Sequence, residues 1–160
     1  MFSRRTFLAA SGAAVAALAA GCTTRPPAPS AGTGSDQTAA SLAFVNKLRA
    51  ARGLPALAVD GAAQRAAMDQ AGRMAAVGRM EHNIGFGANF GKRMKGMDVA
   101  LPAAENIAAG QASAAEAFEA WYRSPKHLAN MLGSYRGLGV AVVSNPASGN
   151  RRYWAMVLSG

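Results

Sequence analysis

Residues 138–158, L-G-V-A-V-V-S-N-P-A-S-G-N-R-R-Y-W-A-M-V-L, decide the fold class of this chain. Apolar residues at every second position run from Leu138 to Val142, and a second run of β-forming residues spans Tyr153 to Leu158. The intervening N-P-A-S-G-N segment consists of residues that favour turns. Two such runs joined by a turn predict an antiparallel β-hairpin at the end of the chain.

Helical patterns dominate the residues upstream of this hairpin. Apolar residues recur at helical spacing between Thr38 and Arg52, and Asp60 is a suitable cap for a second helix that ends near Val77. The apolar stripe of this second helix is made mostly of alanine, which predicts close packing against a neighbouring element.

Shorter helices are predicted between the second helix and the hairpin. One spans about Phe90 to Lys95, one begins with the capping box S-A-A-E at Ser113, and one begins at Ser124-Pro125. Helices followed by a terminal hairpin, without alternation of strand and helix, predict an α+β fold.

The N-terminal residues 1–21 have the pattern of an export signal. The arginine pair Arg4-Arg5 is followed by an apolar, small-residue run that is too short for a membrane-spanning helix. The context S-R-R-T-F-L resembles a twin-arginine signal, which exports folded proteins. An ordinary secretory signal is the alternative.

The only cysteine of the chain, Cys22, follows directly on this signal. The preceding L-A-A-G resembles a lipoprotein cleavage box and predicts lipidation of Cys22; the alternative is cleavage nearby that leaves a free thiol. A single cysteine excludes an internal disulfide. Residues 22–37 are rich in Pro, Gly, Ser and Thr and are predicted to be a disordered tether, with one domain at 38–160.

The charge of the chain favours anionic partners. The formal net charge is +9, and removal of Arg4 and Arg5 with the signal leaves 9 − 2 = +7. A basic exported protein is attracted to anionic lipid headgroups or wall polymers. Export argues against nucleic acid as a partner, and we expect a monomer held at the membrane, facing the periplasm or the cell surface, by a lipid on Cys22.

Three polar residues stand out as candidates for chemistry. The two histidines, His82 and His127, and the carboxylate Glu105 are of the types that bind metals, transfer protons or hold anions. Their spacing matches no short zinc motif. Each also has a structural alternative: His82 can end a helix, His127 can satisfy a carbonyl, and Glu105 can accept backbone N–H bonds.

Several motifs, in order, resemble those of the CAP superfamily of cysteine-rich secretory, antigen 5 and pathogenesis-related 1 proteins. They are M-E-H-N (80–83), A-E-N-I-A-A-G (104–110), W-Y-R-S-P-K-H-L-A-N-M-L (121–132), G-L-G-V-A-V (137–142) and Y-W-A-M-V-L (153–158). The likeness is to short bacterial members without disulfides. It implies an α-β-α sandwich with a small antiparallel sheet between helical layers.

The resemblance also implies a cleft with two histidines and two glutamates. His82 and His127 match the histidines, Glu105 matches the first glutamate, and Ser124 occupies the position of the second. Asn106, next to Glu105, is expected to hold the same segment. The set is therefore incomplete, which weakens the prediction of a full metal site or a paired-carboxylate mechanism.

Three functions are compatible with these observations. The first is a non-catalytic envelope module that binds a lipid, a peptide or a wall fragment in the cleft. The second is a zinc-dependent hydrolase in which His82 and His127 hold the metal and Glu105 acts as base. The third is a structural adaptor for other envelope proteins. The basic charge, the tether and the missing second glutamate favour the first function over catalysis, and zinc is the cofactor that the second function would need.

Overall fold

A computed structural model describes residues 32–85 and 88–160 of the chain. The predicted export signal of residues 1–21, the predicted lipidation site Cys22 and most of the predicted tether lie outside the described residues. None of the helices in the described ranges is long and apolar enough to cross a membrane.

The described residues form five strands and five α-helices. The strands are β1 (Thr33–Asp36), β2 (Ala58–Val59), β3 (Ala104–Ala109), β4 (Gly137–Ser144) and β5 (Arg152–Ser159). The helices are α1 (Thr38–Ala50), α2 (Gly61–Val77), α3 (Phe90–Gly96), α4 (Ala114–Tyr122) and α5 (Pro125–Met131).

The predicted C-terminal hairpin is confirmed and forms the centre of the sheet. Strands β4 and β5 pair antiparallel over their whole length, from Gly137 opposite Ser159 to Ser144 opposite Arg152. The sheet order is β1-β4-β5-β3, and the short β2 runs parallel to the start of β4. Strand β3 therefore lies at one end of the sheet and pairs with β5 alone.

Both faces of the sheet are covered by helices. Alternate residues of a strand point to opposite faces, and along β5 Tyr153, Ala155 and Val157 pack with α2 and α3. Trp154, Met156 and Leu158 pack on the other side with α1, α4 and α5. The two cores confirm the predicted α+β fold, an α-β-α sandwich.

Three strands were not predicted individually from the sequence: β1, the two-residue β2 and β3. The tether predicted for residues 22–37 extends too far, because Thr33–Asp36 pair with Ala141–Ser144 as an edge strand. All four residues are exposed, so the strand leaves no apolar pattern. Strand β3 was not predicted at all: five of its six residues are buried, and a segment covered on both faces shows no alternation.

The predicted helix α2 is confirmed at both ends. Asp60 accepts hydrogen bonds from the backbone N–H groups of Ala62 and Ala63, at 2.8 and 3.3 Å, and Gly78 ends the helix in the left-handed conformation. The second carboxylate oxygen of Asp60 accepts a hydrogen bond from the Ser159 hydroxyl. This bond ties the start of α2 to the end of β5.

A buried arginine fixes the helix that carries His127. Arg49, 1 % exposed, donates from Nη1 to the carbonyls of Met131 (2.9 Å) and Gly133 (2.8 Å), and from Nε to the carbonyl of Pro55 (2.8 Å). The first two carbonyls lie at the C-terminal end of α5, where a cation is favourable. Arg49 thereby joins α1 to the end of α5.

The alanine stripe of α2 allows the helix to lie directly on β4, as predicted. A Cβ atom added to Gly139 would lie 2.1 Å from the backbone nitrogen of Gln64 and 2.2 Å from the carbonyl carbon of Ala63. No side chain fits between the strand and the helix at this point, so Gly139 sets the distance between the α2 layer and the sheet.

We expect Gly139→Ala to lower the free energy of unfolding by at least about 2 kcal/mol, because the new methyl group meets backbone atoms that cannot rotate away. The matched control is Gly72→Ala on α2, where an added Cβ has no neighbour within 4 Å. This control should raise stability by about 0.5–1 kcal/mol. Urea unfolding measures both, and equal effects would contradict the close approach at Gly139.

Candidate functional site

Glu105 is the buried centre of the candidate site. Its side chain is 2 % exposed, and its Oε2 accepts a hydrogen bond from Arg93 Nη2 at 2.7 Å. Its Oε1 lies 2.9 Å from His82 Nδ1. The alternation along β3 places Glu105 on the face covered by α2 and α3, so the carboxylate meets both partners from that side. Both carboxylate oxygens are thus engaged by protein groups.

Arg93 reaches Glu105 from the short helix α3. Asn89 caps this helix by accepting a hydrogen bond from Lys92 N–H at 3.3 Å. The guanidinium of Arg93 is also 2 % exposed and lies 5.8 Å from the centre of the Phe90 ring. Nε and Nη1 of Arg93 have no hydrogen-bond partner within the described ranges. The carboxylate of Glu105 is therefore the group that balances this buried charge.

His82 lies at the surface end of the same cluster. Helix α2 holds its loop, because the buried Gln70 donates to the carbonyl of Glu81 at 2.7 Å and Arg73 donates to the carbonyl of Ile84 at 3.2 Å. The His82 side chain is 49 % exposed, whereas its partner Glu105 is buried. The imidazole can therefore meet a ligand, while the carboxylate behind it cannot.

Asn106 organises the opposite face of the strand. Its side chain is fully buried, donates to the carbonyl of His127 at 3.0 Å and accepts a hydrogen bond from Asn130 Nδ2 at 2.8 Å. Both of those residues belong to α5. Asn106 thus holds α5 against β3 and positions His127 through its backbone.

His127 and Ser124 come together on the α5 side of β3. Ser124 precedes the first residue of α5, and its side chain makes no capping hydrogen bond. Burial of the ring, followed by the positive charges of His82 and Lys126, lowers the pKa of His127.

A cleft of about 270 Å³ runs along this edge of β3. Its floor is Ile107–Ala109, one wall comes from α4 and α5, and Met80 stands on the other side. The residues that line it are Met80, Ile107, Ala108, Ala109, Gln111, Ala120, Trp121, Ser124, His127 and Arg151. The walls are apolar, with a few polar groups, as is typical of small ligand sites.

The zinc site that the alternative hydrolase function would need does not fit the residues of the cluster. Within residues 32–85 and 88–160, no three His, Cys, Asp or Glu side chains group closely enough to hold a metal ion. The buried guanidinium of Arg93 also holds one oxygen of Glu105, and a cation at that carboxylate would face this positive charge at close range. The residues of this cluster therefore do not fit a zinc ion.

Of the predicted site residues, the structure brings His82 and Glu105 into contact and places His127 and Ser124 in the cleft. Asn106 lies beneath His127. Sequence reasoning missed Arg93, although a carboxylate among apolar residues signals that a buried donor is needed. It also missed three polar residues whose contacts arise only from the fold: Gln70, Gln111 and Asn130.

Comparison with known proteins gives one family. The family model described as the Cysteine-rich secretory protein family, CAP, matches residues 42–158. None of the curated proteins compared with the chain matches it significantly.

Three solved bacterial structures share the fold at low sequence identity. An extracellular protein with an SCP domain from Bacillus anthracis (TM-score 0.67, 23 % identity) covers 77 % of this chain, which spans 40 % of that protein. An outer surface protein from Borrelia burgdorferi (TM-score 0.65, 17 % identity) covers 80 % of this chain, and the match spans 97 % of that protein. A cysteine-rich secretory protein from Staphylococcus aureus (TM-score 0.58, 18 % identity) covers 77 % of this chain, and the match spans 38 % of that protein.

We expect Glu105→Leu and Arg93→Met each to lower the free energy of unfolding by about 3–5 kcal/mol, because each leaves a buried charge without its partner. The double variant Arg93→Met with Glu105→Leu should lower the free energy of unfolding by much less than the sum of the two single effects, since neither charge remains. Urea unfolding measures the free energy of each variant in this double-mutant cycle.

The control for this cycle is Arg123→Met, which breaks the exposed pair with Glu119 (3.8 Å) and should change stability little. If the buried single variants behave like this control, Glu105 is not a structural anchor.

We expect His127 to titrate below its ordinary pKa of 6.5 in an NMR titration. The folded protein then binds the proton less tightly than the unfolded chain, so the free energy of unfolding falls as the pH drops below 6.5. His82→Asn and Lys126→Gln should each raise the pKa, because each removes a positive charge. Lys47→Gln on α1 is the control. An unchanged pKa of His127 in His82→Asn would contradict the electrostatic influence of His82 on that ring.

Proposed function

Because the chain belongs to the cysteine-rich secretory protein (CAP) family, we propose that it is an exported envelope protein whose domain binds a lipid, a peptide or a wall component. The domain does so without catalysing a reaction. The cleft between the edge of β3 and helices α4 and α5 is the binding site.

The state of Glu105 is the observation that carries this proposal. A catalytic carboxylate must come within about 3 Å of the proton that it transfers, directly or through one water molecule. Glu105 is buried, and its two oxygens already contact Arg93 and His82. No acidic residue is among those that line the cleft. The cleft therefore presents one imidazole, that of His127, without a carboxylate to pair with it.

Export and anchoring are parts of the same proposal. The signal at residues 1–21 would send the protein out of the cytoplasm, by the twin-arginine route, and a lipid on Cys22 would hold it at the envelope. Two of the structures with this fold come from proteins described as extracellular or outer surface. The net charge of +7 after removal of the signal favours anionic surroundings.

The two other functions considered above have no comparable support. A zinc hydrolase needs a ligand set that His82, Glu105 and His127 do not form. An adaptor role would leave the cleft without a purpose, although His127 and Ser124 line it together.

The test is binding that the cleft controls. Immobilised protein carrying Cys22→Ser is exposed to anionic lipid vesicles, to isolated wall sacculi and to peptides from digested envelope proteins. We expect at least one of the three to stay bound at about 1 M salt, where screening acts within about 3 Å. Ala120→Trp should weaken this binding at least tenfold, because the indole fills the cleft.

The control is Ala50→Trp at the exposed end of α1. If Ala50→Trp weakens binding as much as Ala120→Trp does, the cleft is not the binding site. The same conclusion follows if salt abolishes the binding of vesicles, sacculi and peptides alike.

A further inference from the structure

The outer edge of β3, on the side away from β5, lines the cleft. Paired residues in an antiparallel ladder alternate between pairs that exchange hydrogen bonds and pairs that do not. Gly110 N–H bonds to the carbonyl of Arg152 at 2.8 Å, so the even-numbered residues of β3 bond to β5. The backbone groups of Glu105, Ile107 and Ala109 therefore point away from the sheet.

Two of these three residues have an outward carbonyl that already has a partner. Asn130 Nδ2 lies 3.5 Å from the carbonyl oxygen of Glu105, and Arg151 Nη2 donates to that of Ala109 at 3.3 Å. Between them, the N–H and C=O of Ile107 have no partner in the part of the chain that the structure describes. An extended peptide can add to the edge of a sheet by hydrogen bonding to backbone groups that lack partners, as both backbone groups of Ile107 do within the described residues.

Two residues that line the same cleft each carry a buried polar atom without a partner among the described residues. The indole N–H of Trp121 is a donor on a residue that is 1 % exposed, and Gln111 Oε1 is an acceptor. Neither atom has a hydrogen-bond partner within the described ranges, although both residues line the cleft. Buried polar groups are rarely left in this state without a reason.

The charge and size of the cleft restrict this ligand. Of the residues that line it, none is acidic, while Arg151 is a permanent cation and His127 is an imidazole. An anionic end is therefore favoured near Arg151. The volume of about 270 Å³ equals that of roughly nine water molecules in the liquid. It has room for a few small residues.

We propose that the cleft binds the carboxyl-terminal end of an extended peptide with small side chains. The peptide pairs with Ile107 as a short added strand and places its terminal carboxylate at Arg151. This inference rests on the proposed binding function and names the ligand class for the same site.

The test follows backbone amide and indole N–H signals by NMR while N-acetyl-trialanine with a free carboxylate is added. We expect the Ile107 amide and the Trp121 indole to shift saturably. The Trp154 indole donates to the carbonyl of Gln111 at 2.9 Å, so it should shift less and serves as an internal control.

Two altered probes separate the parts of the proposal. The C-terminal amide of the same peptide should bind at least tenfold more weakly, because it lacks the charge for Arg151. A version with methylated backbone nitrogens should lose the Ile107 shift, because it cannot donate to the strand. Equal binding of the acid and the amide would overturn the role of the carboxylate, and equal binding of the methylated peptide would overturn strand pairing.

A matched pair of variants tests Arg151 directly. Arg151→Gln should weaken the free acid about tenfold and leave the amide unchanged, whereas Arg52→Gln, an exposed arginine beyond α1, should change neither. If vesicles or sacculi bind in a manner that Ala120→Trp abolishes, but no trialanine probe binds, the peptide inference fails and the binding function stands. If nothing binds, both fail.

Discussion

The ion pair between Glu105 and Arg93 is the interaction on which the site depends. Both side chains are 2 % exposed, and their atoms meet at 2.7 Å. Removing two charges from water costs several kcal/mol for each ion, and only a close contact offsets this cost. The pair therefore holds α3 at one distance from β3. Because His82 lies on the second oxygen of the same carboxylate, its loop is fixed by the same anchor.

The neighbouring residue on the strand performs the equivalent task on the other face. Glu105 points to the α2 and α3 layer, whereas Asn106 points to α5 and bonds to His127 and Asn130. Two consecutive residues of one strand thus tie both helical layers to the sheet, and each tie positions one histidine. Both oxygens of Glu105 contact protein groups in this anchor.

Much of the frame could be predicted from the sequence, because it depends on local chemistry. Alternating apolar residues marked the hairpin, and Asp60 with Gly78 marked the ends of α2. Strand β3 escaped prediction because burial on both faces removes its alternation, and β1 escaped because its residues are all exposed. Glu105 signalled the need for a buried donor, but the identity of Arg93 depends on how α3 packs, which no local pattern records.

The edge of β3 shows how the same frame leaves one place open. An unpaired strand edge invites unwanted pairing with other chains, and proteins usually cover it. Here Asn130 and Arg151 cap the carbonyls of Glu105 and Ala109, so among the described residues of this edge Ile107 is the one whose outward N–H and C=O both lack a partner. Such a gap is too short for a second sheet to pair with, yet it is long enough to exchange two hydrogen bonds with one residue of a ligand. The side chains that cap these two carbonyls would therefore also restrict a peptide of the proposed kind to pairing with Ile107.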